Sequence, residues 1–364
     1  MNLGVVGGGQ LGRMLSQAAL PLGIKTKFLD PSDQSCAAAT GRLICAPYDD
    51  ADAIRQLSEH TDAVTFEFEN VPPVTVEKLA ESLPVYPSAQ ALATARDRWT
   101  EKSLFRQLNI ETPAFEKIDD QQMLNLAINE LRYPAVLKTR TLGYDGKGQK
   151  IIRSSGDVDG AFELLGGVPL IMESFIEFEY EVSCIGVRSK SGECVFYPLI
   201  KNEHHQSILY RSQPIKNSIL QTQAESIVKK IMEALNYVGT LAFEFFVKDD
   251  LLIANEIAPR VHNSGHWTIE GSATSQFENH VRAVMGLPLG STETRGEVVM
   301  YNLIGRMPAI QELLAVPGVH LHNYDKAERP GRKIGHITVT SENLMQLKAR
   351  CEKIESLLVN NLGS

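Results

Sequence analysis

The stretch LAFEFFVKDDLLIANEI, residues 241–257, decides how the chain is read: an apolar run broken by Glu244, a charged turn at Lys248-Asp249-Asp250, and a second apolar run broken by Glu256. Aromatic and β-branched residues on both sides of a polar turn predict an antiparallel hairpin. A carboxylate is costly to bury unless it is paired or metal-bound, so two of them on facing strands ask for a cation. Magnesium answers that chemistry, because it prefers oxygen and takes one or two protein carboxylates beside nucleotide phosphates. The same pattern also fits two glutamates facing water on an amphipathic hairpin, and pattern alone leaves both readings open.

Working upstream, EVSCIGVRSKSGECVFYPL predicts a second hairpin. Before it, helix Gln121–Leu131, strand Ala135–Lys138, strand Lys150–Arg153, helix Val158–Leu165 and strand Leu170–Phe175 make a small α+β unit. Lys138 ends the apolar strand AVLK, where it either reaches a phosphate from the sheet or snorkels to water. The loop Gly143–Gln149 gathers glycines and a lysine, so its backbone amides can close over phosphates, or it is a plain hairpin tip. It is not a P-loop, since GxxxxGK[ST] fails in every register.

At the N-terminus, LGVVG, GGGQLGRMLSQAALPLG and KTKFLD read as a βαβ unit, with strands at Leu3–Val6 and Lys25–Leu29. Gly7, Gly9 and Gly12 spell GxGxxG, with Asp30 placed as a ribose-binding acid. Alone this says NAD, yet amides at a helix N-terminus accept a ribose phosphate equally well. A strand at Ala63–Phe68 and helices at Val74–Leu83 and Arg98–Leu108 follow, and Thr112-Pro113 sets the first domain boundary. Downstream of the opening hairpin, PRVHNSGHW places Arg260, His262, Asn263, Ser264 and His266 in a glycine-containing loop, a donor density that suits an anion. The spacing of His262 and His266 lacks the acidic or Cys ligand a zinc site needs. A strand at Val298–Ile304, a basic turn with Lys326, Arg332 and Lys333, and a helix at Glu342–Leu358 complete the chain. Basic runs beside turns are usually solvated, but in an otherwise acidic chain this one suits a phosphorylated substrate.

Composition narrows the classes. With 364 residues, 43% hydrophobic and 22% charged, the chain can bury more than one core. A formal charge of −8 argues against a nucleic-acid coat. Five scattered cysteines without a CxxC pair indicate neither a disulfide framework nor a zinc ribbon, and no stretch approaches the roughly 20 apolar residues of a membrane span. The expectation is a cytoplasmic enzyme.

Lys138, the GYDGKGQ loop, MESFIEFEYE and the paired Glu244 and Glu256 together resemble the ATP-grasp superfamily. GGGQLGRM, FEFENV, YDGKGQ, NEIAPRVHNSGHWT and RPGRKIGH, in that order along nearly the whole chain, closely resemble the PurK family of 5-(carboxyamino)imidazole ribonucleotide synthases. The resemblance implies an α/β and α+β ATP-grasp fold: a Rossmann-like pre-ATP-grasp domain (1–111), a small lid-forming subdomain (112–177), a large subdomain (178–296) and a small C-terminal domain (297–364). It implies ATP-dependent carboxylation of the amine of 5-aminoimidazole ribonucleotide through carboxyphosphate, with magnesium or manganese, in a homodimer that binds neither nucleic acid nor membrane. ATP would contact Arg98, Lys138, Gly143, Tyr144, Asp145, Gly146, Lys147, Gly148, Gln149, Glu173, Ser174, Phe175, Ile176, Glu181, His204, Asn255 and Glu256. Glu244 and Glu256 would hold the metal. The ribonucleotide would meet Gln10, Leu11, Glu67, His262, Asn263, Lys326, Arg332 and Lys333, and Tyr144, Asp145, Lys147, Arg260 and Lys333 would serve the chemistry. Two departures stand out: Lys147, where many relatives carry Arg, and Ala258, where many ATP-grasp carboxylases place an Asn metal ligand. The rivals are an NAD-dependent oxidoreductase, which leaves the glutamate pair unexplained, and a related ATP-grasp ligase acting on another ribonucleotide or amine.

Overall fold

The computed structural model describes residues 1–143 and 146–362. The chain opens with β1 (Asn2–Val6), α1 (Gln10–Ala19), β2 (Lys25–Asp30), β3 (Arg42–Cys45), α2 (Ala51–Ser58) and β4 (Ala63–Phe66). These strands form a parallel sheet in the order β3-β2-β1-β4. The expected strand to Phe68 stops at Phe66, because the next side chain, Glu67, turns back into the glycine-rich turn before α1.

Helices α3 (Pro73–Ala80), α4 (Ala89–Arg96) and α5 (Arg98–Gln107) lead away from this sheet. Asp97 separates the last two and caps α5, accepting from the amides of Trp99 and Thr100. The small unit comprises β5 (Phe115–Ile118), α6 (Gln121–Leu131), β6 (Ala135–Thr139), β7 (Gln149–Ile152), α7 (Ala161–Leu164) and β8 (Leu170–Ser174). Its antiparallel sheet runs β5-β8-β6-β7 over a core of its own that includes Leu124, Leu137, Phe162 and Met172.

The rest of the chain builds one nine-stranded sheet. It contains β9 (Tyr180–Arg188), β10 (Cys194–Phe196), β11 (Ile200–His205), β12 (Ile208–Pro214), β13 (Gly239–Lys248) and β14 (Leu251–Ala258), with α8 (Ser218–Ala234) between β12 and β13. After α9 (Thr268–Gly271) and α10 (Gln276–Met285) come β15 (Glu297–Ile304), α11 (Ile310–Leu314), β16 (Val319–Asn323), β17 (Lys333–Ser341) and α12 (Leu344–Leu362). The order is β14-β13-β9-β11-β12-β15-β17-β16, with β10 beside β9. The strands expected to form a separate C-terminal unit therefore extend the sheet of the preceding one, through Arg211 opposite Tyr301 and Ser212 opposite Met300.

β14 lies at the sheet edge, and α5 covers it. Glu101 accepts from the Ile257 amide at 2.7 Å, Lys102 donates to the Ala254 carbonyl at 3.4 Å, and the Ala254 amide bonds to the Glu111 carbonyl at 2.8 Å. An edge strand that would otherwise offer unpaired groups is thereby closed. No helix among the described residues is long and apolar enough to cross a membrane.

Candidate active site

β13 and β14 pair antiparallel with Glu244 directly opposite Glu256, and the register shifts at once, leaving Asn255 as the extra residue of a bulge. Directly opposed residues of an antiparallel pair lie on one face of the sheet, so the two carboxylates are neighbours there. Burial first and Glu256 second push the Glu244 carboxyl up to about 7, against the opposing pull of His204. Arg98 Nη2 lies 3.6 Å from Glu256, and His262 Nε2 lies 3.3 Å from Glu244. Glu244 is thus largely withdrawn from water, with 18% of its side chain exposed, whereas Glu256 keeps 46% of its side chain exposed beside Arg98.

Toward the small sheet, Glu173 on β8 sits between two lysines. Lys138 Nζ on β6 is 3.1 Å from its Oε2, and Lys102 Nζ on α5 is 3.4 Å from the same atom. Burial works against the Glu173 carboxylate, but the two ammonium groups outweigh it and hold the group at about 2. Oε1 of Glu173 is buried with no hydrogen-bond partner among the described residues. Arg98 donates to the carbonyls of Thr139 and Gly143, tying the glycine loop to the acid pair. Gly146 and Gly148 take positive φ, and a Cβ on Gly146 would stand 2.7 Å from Ser207, so the loop lies against the β11–β12 turn. His204 at the end of β11 bonds Glu181 on β9 at 2.5 Å; burial alone would lower its pKa, and Glu181 reverses that. Ser174 ends β8, and Phe175 and Ile176 open the link to β9.

On the N-terminal side, the GxGxxG amides are already committed. Gly9 donates to Glu67 Oε1 at 2.5 Å and Gly12 to Oε2 at 2.8 Å, while Gly8 donates to Asp30 at 2.8 Å. A Cβ on Gly9 would come within 2.6 Å of Glu67, which explains the glycine without any pyrophosphate. The dinucleotide reading fails here because a carboxylate of the chain itself holds the cradle. Gln10 bonds Lys326, whereas Leu11 packs in the core with Leu3 and Val5, leaving only its main chain for a ligand. Arg332 donates to the Ala327 carbonyl at 3.1 Å, and Lys333 begins β17.

The loop after β14 is fixed by a chain of amides. The Leu209 carbonyl can only accept, so Asn302 turns its NH₂ toward it and toward Asn263 Oδ1; Asn263 then donates to Asn302 Oδ1 and to His266 Nδ1. His266 Nδ1 is thereby an acceptor, with Tyr324 at 3.2 Å and, beyond it, His336. Burial first, then Arg260 and Lys333, keep His262 well below the usual histidine range, so it contributes a hydrogen bond rather than a positive charge. Arg260 pairs with Glu69 at 2.7 Å. Sequence reasoning singled out neither Glu69 nor the buried Glu101 and Lys102. Lys147 lies in the described part of the glycine loop, whereas Tyr144 and Asp145 lie outside the described residues. No group of three or more His, Cys, Asp or Glu side chains among the described residues is arranged to cage a metal by itself.

Three family models match the chain in order: a ribonucleotide synthetase preATP-grasp domain over residues 1–96, an ATP-grasp domain over 103–277, and a phosphoribosylaminoimidazole carboxylase C-terminal domain over 298–350. An N5-carboxyaminoimidazole ribonucleotide synthase of Pseudomonas aeruginosa is 53% identical over 358 residues, covering 98% of this chain and 99% of the relative. The crystal structure of the Thermus thermophilus synthetase of that name matches at a TM-score of 0.94 and 47% identity, covering 98% of each chain. The Aspergillus clavatus synthase, solved in complex with ADP and 5-aminoimidazole ribonucleotide, matches at 0.91 and 32% identity over 99% of this chain and 98% of that one. With this domain order, this fold and this identity over nearly its whole length, the chain belongs to the N5-carboxyaminoimidazole ribonucleotide synthase family of the ATP-grasp superfamily.

Proposed function

We propose that this ATP-grasp ligase carboxylates the amine of 5-aminoimidazole ribonucleotide with ATP and bicarbonate, giving N5-carboxyaminoimidazole ribonucleotide, ADP and phosphate in purine biosynthesis. The observation that carries the residue assignment is the facing pair Glu244 and Glu256, set between Arg98 on the nucleotide side and His262 on the substrate side. Two oxygen-donor acids, and no complete cage, fit magnesium or manganese shared with nucleotide phosphates. Bound there, the metal would offset phosphate charge. In the first step a bicarbonate oxygen bonds to the γ-phosphorus as the bond to ADP breaks. In the second, the amine nitrogen bonds to the carboxyl carbon, phosphate leaves with the bridging electron pair, and the amine gives up a proton.

Lys138, Arg98 and the loop 143–149 serve the nucleotide phosphates. Ser174, Phe175 and Ile176 line the base, and Glu181 and His204 serve the ribose. Arg260 and Lys333 stabilise the developing oxyanions, where fixed donors act most strongly with water excluded. Lys326, Arg332 and Gln10 take the ribonucleotide phosphate and Glu67 its ribose. Within this proposal the chain works in the cytoplasm as the four units expected from its sequence, and as a homodimer. Light scattering should give twice the 40.2 kDa of one chain.

The test is ADP release with each substrate omitted in turn. Release should need bicarbonate and rise with 5-aminoimidazole ribonucleotide; a rate no higher than with ATP alone would sink the substrate assignment. Glu256→Gln should lower turnover by on the order of a hundredfold or more with the fold intact, because it removes charge where a metal must be neutralised. Unchanged turnover would remove Glu256 from the metal site.

A further inference from the structure

Glu69 lies in the segment after β4, and its side chain meets the loop that follows β14. There Arg260 Nε donates to Glu69 Oε2 at 2.7 Å and Nη2 donates to Oε1 at 3.4 Å, a side-on pairing of two planar forks. Arg260 Nη1 donates to the Val261 carbonyl at 3.3 Å. A guanidinium carries five N–H groups. Three are committed in this way, and the remaining two, one on each terminal nitrogen, have no partner among the described residues. That is enough for two oxygens of a small oxyanion.

We propose that Glu69 is a positioning residue for the carboxylation: it holds the side-on edge of Arg260 and so aims the two remaining N–H groups at bicarbonate and at the carboxyl phosphate made from it. The proposal rests on the assignment of Arg260 to the one-carbon oxyanion. Its physical content is a competition. Glu244 and Glu256 both act on Arg260 through space, and a guanidinium without Glu69 would be drawn toward the acids that the metal needs. Glu69 supplies a closer partner from a different domain. Burial works against the Glu69 carboxylate, but Arg260 outweighs it and holds the carboxyl below its ordinary range, so the partner stays charged.

The experiment uses the full-length protein with Glu69→Gln, varying ATP, bicarbonate and 5-aminoimidazole ribonucleotide one at a time. Losing a charged partner should raise the bicarbonate KM on the order of ten- to hundredfold and leave the ATP KM unchanged. The ratio of ADP released to amine carboxylated should also rise above one, as carboxyphosphate is lost to water. Glu69→Gln added to Arg260→Ala should worsen nothing further, because Glu69 acts only through that guanidinium. An equal rise in all three KM values would mark a merely structural role and overturn the proposal. So would an unchanged bicarbonate KM in Glu69→Gln when Arg260→Ala raises it. If Arg260→Ala itself leaves the bicarbonate KM unchanged, the assignment of Arg260 fails instead. ADP binding by calorimetry checks the fold, and Glu69→Asp, which keeps the charge with a shorter reach, answers the same question should the glutamine variant not bind ADP.

Discussion

Glu173 shows how one buried side chain can tie together lysines from two different elements. Against burial, Lys102 and Lys138 hold its carboxyl at about 2, below the ordinary 4.5, and this stabilises the fold while the group is charged. Because the folded value is the lower one, this contribution is complete above 4.5 and is lost as pH falls toward about 2. Glu173→Gln should therefore lower the thermal midpoint clearly at pH 6, and the difference from wild type should shrink near pH 3. A difference independent of pH would mean that packing, not the lysine pair, is what the glutamine disturbs. Glu67 teaches a different lesson at the same scale. The glycine spacing before α1 was legible as a place where backbone comes close to an anion, but sequence does not say that the anion is a side chain of the chain itself, 55 to 58 residues away.

Among the elements, the β13–β14 hairpin was the most legible, since Glu244 and Glu256 interrupt runs that are otherwise apolar. The helix α5 was legible as a helix and illegible as a site element. RWTEKSLFRQ reads as a solvated polar surface, and only tertiary structure reveals that Glu101 and Lys102 are each about 1% exposed and close the β14 edge. Sequence reasoning placed no strands at β11 and β12, although it named His204, because KNEHHQSILYRSQP is too polar to announce the hairpin that the two strands form with each other. Burial first and Glu256 second push the Glu101 carboxyl up, and it holds the Ile257 amide through an oxygen that a glutamine side chain also offers. Glu101→Gln should then be nearly silent in denaturant unfolding. Glu101→Leu, which orphans the Ile257 amide, should cost about 1–3 kcal/mol. Equal losses in the two variants would mean that charge, not the hydrogen bond to the edge strand, is what matters.

For the whole molecule, four units were expected from the sequence, with no sign that strands assigned to the last two share hydrogen bonds. Sheet continuity is a property of pairing between β12 and β15, about 90 residues apart, and periodicity within either strand carries no trace of it. A chain ending at residue 296 should expose β12 as a new edge and open the core in which Val298 and Met300 pack with Trp267. It should aggregate in size-exclusion chromatography rather than run as a folded monomer; a stable, ADP-binding monomer would show that the C-terminal strands are dispensable. The same continuity makes the sheet a ruler. Glu244 on β13 and Lys333 at the start of β17 are graduations on one hydrogen-bonded body, whereas Lys138 belongs to another. For a chemist joining a phosphate mimic to a ribonucleotide mimic, that means the span from acid pair to basic turn is set when the chain folds, and a single tether length should stand out from the series.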